Sequence, residues 1–200
     1  MVNLRYPYAT MLRTPLLLLS ISLSLFVSVP AHASIYTGTM LGTNENPSNS
    51  SPATGFTWAS VSGDTLDVEM YWNGLIGGPP AAAHIHCCTD PDSNVGVAVG
   101  FPDFPSLLSG TYTQSFNLMD PSIYTAGFLN NFGGGTAAGA RDALIAGLES
   151  GRAYSNIHNA TYPGGEIRAN LAPVPEPSSA LLMLAGVLGL TGYARRKRVS

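Results

Sequence analysis

The chain has 200 residues and a formal net charge of −3, and only 10% of its residues are charged, against about 25% in an average soluble domain. Within residues 34–172, eleven acids stand against three bases, Arg141, Arg152 and Arg168, with no lysine. A body this acidic repels phosphate backbones, which excludes nucleic acid as a partner. Its length is that of one domain with a moderate core.

The first 33 residues read as a secretory signal peptide. Arg5 and Arg13 give a positive start, residues 16–29 are an apolar run, and Ala31-His32-Ala33 is a small-x-small cleavage box. The run is shorter than the ~20 residues of a spanning helix. Ser34 is then the first mature residue.

Residues 35–41 read as a first strand and 44–52 as a polar loop. Residues 65–72 alternate cleanly, with Leu66, Val68, Met70 and Trp72 on one face and Asp67, Glu69 and Tyr71 on the other. That period of two marks a half-buried antiparallel strand. Ser62-Gly63-Asp64 is turn chemistry linking it back to a strand over 55–61. Further strands are expected at 81–87, 95–101, 112–118, 153–158 and 166–171. Residues 120–150 read as a helical insertion. Asp120-Pro121 is an N-cap with proline at the first helical position. Gly133-Gly134-Gly135 breaks the insertion. Thr136 caps a second helix that turns Ala140, Leu144, Ile145 and Leu148 inward and stops at Gly151. The fold class is therefore mainly β, an antiparallel Greek-key sandwich or barrel-like domain over 34–172. Trp58 and Trp72 are expected in its core; Tyr71, Tyr162 and, as the alternative to a core place, Trp58 are the surface rings that can stack on sugars.

The chemistry is densest at Ala83-His84-Ile85-His86-Cys87-Cys88. On a strand, His84 and His86 point one way and Ile85 the other. In 154–158, Ile157 is the core residue, so His158 points outward with Tyr154 and Asn156. In 166–171, Ile167, Ala169 and Leu171 face in, which places Glu166 and Arg168 outside. If these strands are neighbours, His84, His86, His158 and Glu166 share one side of a sheet, a donor set suited to copper or zinc. The competing reading is a hydrogen-bonded polar network. The two cysteines, in an exported protein, are open to a vicinal disulfide, to a metal-thiolate role beside His86, or to intermolecular or free states. Residues 90–94 carry oxygen donors but lack the spacing of a calcium loop and read as a solvated turn. No nucleophile, base and orienter are aligned: Ser155 and His158 lie on opposite strand faces.

Ala-His-Ile-His at 83–86, Tyr-x-Asn-Ile-His at 154–158 and Pro-Gly-Gly-Glu-Ile-Arg at 163–168 resemble the CHRD (chordin-type) domain family. The resemblance spans nearly all of 34–172. It implies an extracellular β domain acting as a binding or scaffold module, with no catalytic residues to carry over. The chain departs from the usual pattern at Cys87-Cys88. His-x-His on a Greek-key strand is also similar to copper–zinc superoxide dismutase, which keeps copper or zinc binding as the alternative function.

The end of the chain has three parts: Pro175-Glu176-Pro177, an apolar stretch over 180–193, and Arg195-Arg196-Lys197-Arg198. Prolines around Glu176 keep the backbone extended. The apolar stretch reads as a short transmembrane helix whose basic end stays cytoplasmic. The tail over 173–200 strongly resembles the PEP-CTERM sorting signal. This implies transient membrane anchoring and cleavage near Pro175-Glu176-Pro177 by an exosortase. Release to the cell surface or an extracellular matrix follows, where exopolysaccharide or surface proteins are the expected partners.

Overall fold

The computed structural model describes residues 33–175 and 186–188. The leader up to His32, including Ala31, lies outside the described residues. So do Glu176, Pro177, Arg195 and Arg196 of the sorting tail. Among the described residues no helix is long and apolar enough to cross a membrane.

Eight strands follow one another as β1 (Ser34–Leu41), β2 (Thr54–Ser62), β3 (Thr65–Asn73), β4 (Ala82–Cys87), β5 (Val97–Gly100), β6 (Gly110–Asn117), β7 (Ala153–His158) and β8 (Ile167–Pro173). Two helices, α1 (Ala126–Asn131) and α2 (Ala137–Glu149), lie between β6 and β7. The strands form one antiparallel sheet in the order β5-β4-β7-β8-β1-β2-β3-β6. The mainly β antiparallel class is therefore present as a single curled sheet, a half-barrel.

Two contacts show the curl. Thr57 Oγ1 on β2 and Ser155 Oγ on β7 are hydrogen-bonded at 2.7 Å inside the curl, although β8 and β1 separate their strands. Phe101, just past β5, stacks on Tyr112 and Phe116 of β6, with ring centroids 5.2 and 6.1 Å apart. The two edges of the sheet thus approach through aromatic rings instead of ladder hydrogen bonds. An open cleft of about 860 Å³ remains there, lined by Phe101, Phe104, Phe116, Tyr124 and His84 among others.

Period-two patterning sets the interior. Leu66, Val68, Met70 and Trp72 are fully buried, as are Ile85, Ile157 and Ile167. Trp72 donates its indole N–H to the Leu107 carbonyl at 2.9 Å and stacks on Phe104, so its one polar atom is satisfied. Gly63, at φ +60° in the β2–β3 turn, occupies a conformation that glycine adopts freely. Trp58 corrects the sequence reading: it is half-buried, and it lies on the outer face of β2 with Phe56.

The helical insertion starts later than its first cap. Asp120 accepts from the Ser122 backbone N–H and supports only one 3-10 turn. Thr125 caps α1 through the Phe128 N–H, and Thr136 caps α2 through the Gly139 N–H. Ala140, Leu144 and Leu148 turn inward from α2. The sulfurs of Cys87 and Cys88 are bonded to each other at the end of β4. Cys87 is buried on the core side, opposite the histidines, so its sulfur does not join them.

Gly147 lets α2 lie directly over that bridge. A Cβ at this position would collide with both cysteine sulfurs. Glycine to alanine inside a helix ordinarily stabilises by about 1 kcal/mol. Here the overpacking cost of about 1–3 kcal/mol acts against a cross-linked pair that cannot swing aside. Gly147→Ala is expected to lower the urea unfolding midpoint. An unchanged or raised midpoint would show that α2 is free to lift.

Candidate functional site

Three adjacent strands build the site. β4 pairs with β7 so that Ala82 faces His158, His84 faces Asn156 and His86 faces Tyr154. β7 pairs with β8 so that Asn156 faces Arg168. Alternation sends Ala83, Ile85, Ile157, Ile167 and Ala169 into the core. His84, His86, Tyr154, Asn156, His158 and Arg168 therefore share the outer face.

The three histidines converge. Ring centroids are 5.1 Å apart for His84 and His158, 5.6 Å for His84 and His86, and 6.0 Å for His86 and His158. One ring nitrogen from each lies within 4.8 Å of the others. His86 Nδ1 contacts the Val95 carbonyl at 2.8 Å, and His158 Nδ1 contacts the Pro163 carbonyl at 2.9 Å. Both Nε2 atoms point at one atom, Asn156 Oδ1, at 3.1 and 2.9 Å. His84 Nδ1 is buried without a hydrogen-bond partner. Burial, with the neighbouring rings adding to it, holds His84 down at about 4. Burial likewise outweighs the Val95 carbonyl and holds His86 at about 4. Burial also lowers His158. The rings are neutral imidazoles at neutral pH.

The β8 side of this outer face is closed to solvent, which corrects the placing of Glu166 and Arg168 outside: both are fully buried. Loops fold back over the strands. The Arg168 guanidinium donates to Asn170 Oδ1, Asn94 Oδ1 and the carbonyls of Pro91 and Ser93 at 2.7–3.0 Å. It also lies over the Tyr154 ring, 3.4 Å from its centroid, and His86 stacks on the same tyrosine at 4.5 Å. Pro91 and Ser93 thus spend their main-chain oxygens on an arginine.

Glu166 does not join the histidines. Its carboxylate accepts from the backbone N–H groups of Ile76 and Gly77 at 2.8 and 3.1 Å, from Ser51 Oγ at 2.7 Å and from Asn159 Nδ2. It ties three loops to the start of β8. The acid near the cluster is Glu45, which the sequence reading left in a polar loop. Glu45 is buried with its Oε1 unpartnered, lies near the Asn156 amide, and sits against Gly165, where any side chain would strike its carboxyl. Burial pushes it up to about 7, with Arg168 pulling the other way. The one sequence trace of Glu45 is Gly165, which leaves room for it. Asn156, likewise unassigned before, is the hub of the cluster.

A family model for the CHRD domain matches residues 36–171, from β1 into β8. A second model, for the PEP-CTERM protein-sorting motif, matches residues 173–198. No curated protein and no solved structure matches the chain.

Glu166→Gln keeps the shape of the side chain but turns an NH2 toward N–H groups that only donate, those of Ile76 on one side or of Gly77 and Asn159 on the other. Hydrogen bonds to a charged group contribute about 1.5–3 kcal/mol each, and orphaned buried donors add to the loss. The variant is expected to lose about 2–3 kcal/mol of unfolding free energy in urea titration. A loss within error of zero would mean the loops are held by other contacts.

Proposed function

The chain belongs to the CHRD domain family and carries a PEP-CTERM sorting motif, and from that premise we propose that it works outside the cell as a non-enzymatic binding module that holds neutral polysaccharide of the surface or extracellular matrix. The sorting motif implies export, recognition and processing by an exosortase, and transient membrane anchoring. The motif begins at residue 173, where β8 ends, so cleavage near Pro175-Glu176-Pro177 leaves the whole sheet intact.

One observation carries the polysaccharide reading. On the outer face of the β1-β2-β3-β6 half of the sheet, side chains line up in rows across four strands. Thr39, Phe56, Tyr71 and Thr111 form one row, and Thr37, Trp58, Glu69 and Thr113 the next. Phe56 and Tyr71 are exposed, and with Trp58 and Glu69 they border a shallow hollow of about 310 Å³. Aromatic rings spaced by the ~4.8 Å between strands make a flat apolar strip. Such a strip stacks on the C–H faces of sugar rings, while threonine hydroxyls and Glu69 meet sugar hydroxyls. Glu69 and the nearby Asp67 disfavour a polyanionic glycan.

Affinity electrophoresis of the exported protein in gels containing dextran, soluble cellulose derivatives or alginate tests this. Retardation by a neutral polymer and not by alginate is expected. Each lost stacking contact is worth about 1 kcal/mol, so Phe56→Ala with Tyr71→Ala is expected to weaken binding roughly tenfold or more. Equal retardation of the double variant, or retardation by alginate alone, would overturn the reading.

A further inference from the structure

We propose that His84, His86, His158 and Asn156 form a binding site for one divalent transition-metal ion, zinc or copper(II), on the outer face of β4 and β7. The site lies on other strands than the aromatic rows, and the proposal stands independently of the polysaccharide reading.

A carbonyl oxygen only accepts, so the contacts to Val95 O and Pro163 O put the ring hydrogens of His86 and His158 on Nδ1. In each neutral ring the lone pair is then on Nε2. Both lone pairs point at Asn156 Oδ1, which is itself an acceptor. The amide NH2 is turned the other way, toward the Gly164 carbonyl at 3.5 Å and the Glu45 carboxyl. His84 adds a buried Nδ1 with no partner. The pocket therefore aims two lone pairs at one acceptor oxygen, beside an imidazole nitrogen with no partner of its own. A metal cation is the species that satisfies all of them together.

Distances and chemistry agree. Ligands at metal bonds of ~2.0–2.1 Å in a tetrahedron lie about 3.3 Å from one another. The two Asn156 Oδ1 contacts, at 3.1 and 2.9 Å, are already close to such edges. The imidazole nitrogens, within 4.8 Å of each other, need small side-chain rotations to close. The Nδ1–carbonyl bonds are the supporting shell that fixes tautomer and ring orientation at metal-bound histidines. Three imidazoles and a neutral amide oxygen suit zinc and copper, whereas calcium and magnesium take carboxylate-rich oxygen sets. Entry is provided for, since His84 and His158 are half-exposed and His84 lines the open cleft between the sheet edges.

The test uses the full exported chain without a polyhistidine tag, stripped with EDTA and dialysed. Equilibrium dialysis against zinc sulfate and copper sulfate should give one equivalent bound at micromolar metal. Cobalt(II), used as a spectroscopic probe, should give the strong visible bands of a four-coordinate site. His84→Ala is the clean variant, because His84 Nδ1 holds no hydrogen bond whose loss would unsettle the fold. It should weaken binding by more than the ~10–100-fold typical of a supporting residue, with its thermal midpoint in EDTA unchanged. His158→Gln should do the same. No binding at micromolar metal would overturn the proposal. So would binding that survives both substitutions, which would place the ion elsewhere.

Discussion

A buried arginine holds the outer face of the histidine strands in order. Arg168 sits on β8 with its guanidinium removed from water and no carboxylate in direct contact. Such a cation is tolerated only where other groups take over the role of the solvent. Two carbonyls and two side-chain amides do so, and the face of Tyr154 completes the shell. Those same contacts fix residues 91–94, and the chain leads from there directly to Val95. The Val95 carbonyl then decides which nitrogen of His86 carries hydrogen. The tautomer at the cluster is thus set by a cation two strands away. The covering loops are also tied to each other, through Asn46 to the Asp92 carbonyl and Asn94 to the Asn46 carbonyl.

What the sequence makes legible is whatever obeys a local period. The alternation over 65–72 places four core residues correctly, and the isoleucines at 85, 157 and 167 separate the inner from the outer face. Thr136 as a helix cap and Gly151 as its stop follow from rules that act within one turn. The convergence of His84, His86 and His158 also follows, once β4 and β7 are neighbours. The strand pairing itself depends on contacts some seventy residues apart, which no local pattern encodes.

The misplaced residues share one cause. Period-two reasoning assigns a side of the sheet and says nothing of what lies over it. Glu166 and Arg168 are on the side expected, yet loops from residues 42–52 and 88–96 cover them. Glu45 arrives in one of those loops from more than a hundred residues away, and only the missing side chain of Gly165 admits it. Trp58 fails in the opposite direction. Its bulk suggests a core residue, but its neighbours Thr57 and Ala59 are the inward ones, small enough for the tight interior beneath β2.

That tight interior explains why a polar pair is kept at the centre of an apolar core. Thr57 and Ser155 are fully buried and satisfy each other. Along the sheet, β2 and β7 are three strand spacings apart, about 14 Å; through the interior they touch. The curl that brings them together turns the outer faces of the two strands away from each other. Phe56 and Trp58 flank Thr57 on one side of the domain, and Tyr154 and Asn156 flank Ser155 on the other. A polymer lying along the aromatic rows therefore leaves the histidine cluster and its cleft uncovered. Replacing the pair with larger apolar groups would force β2 and β7 apart and flatten the curl, and the two outer faces would no longer look in different directions.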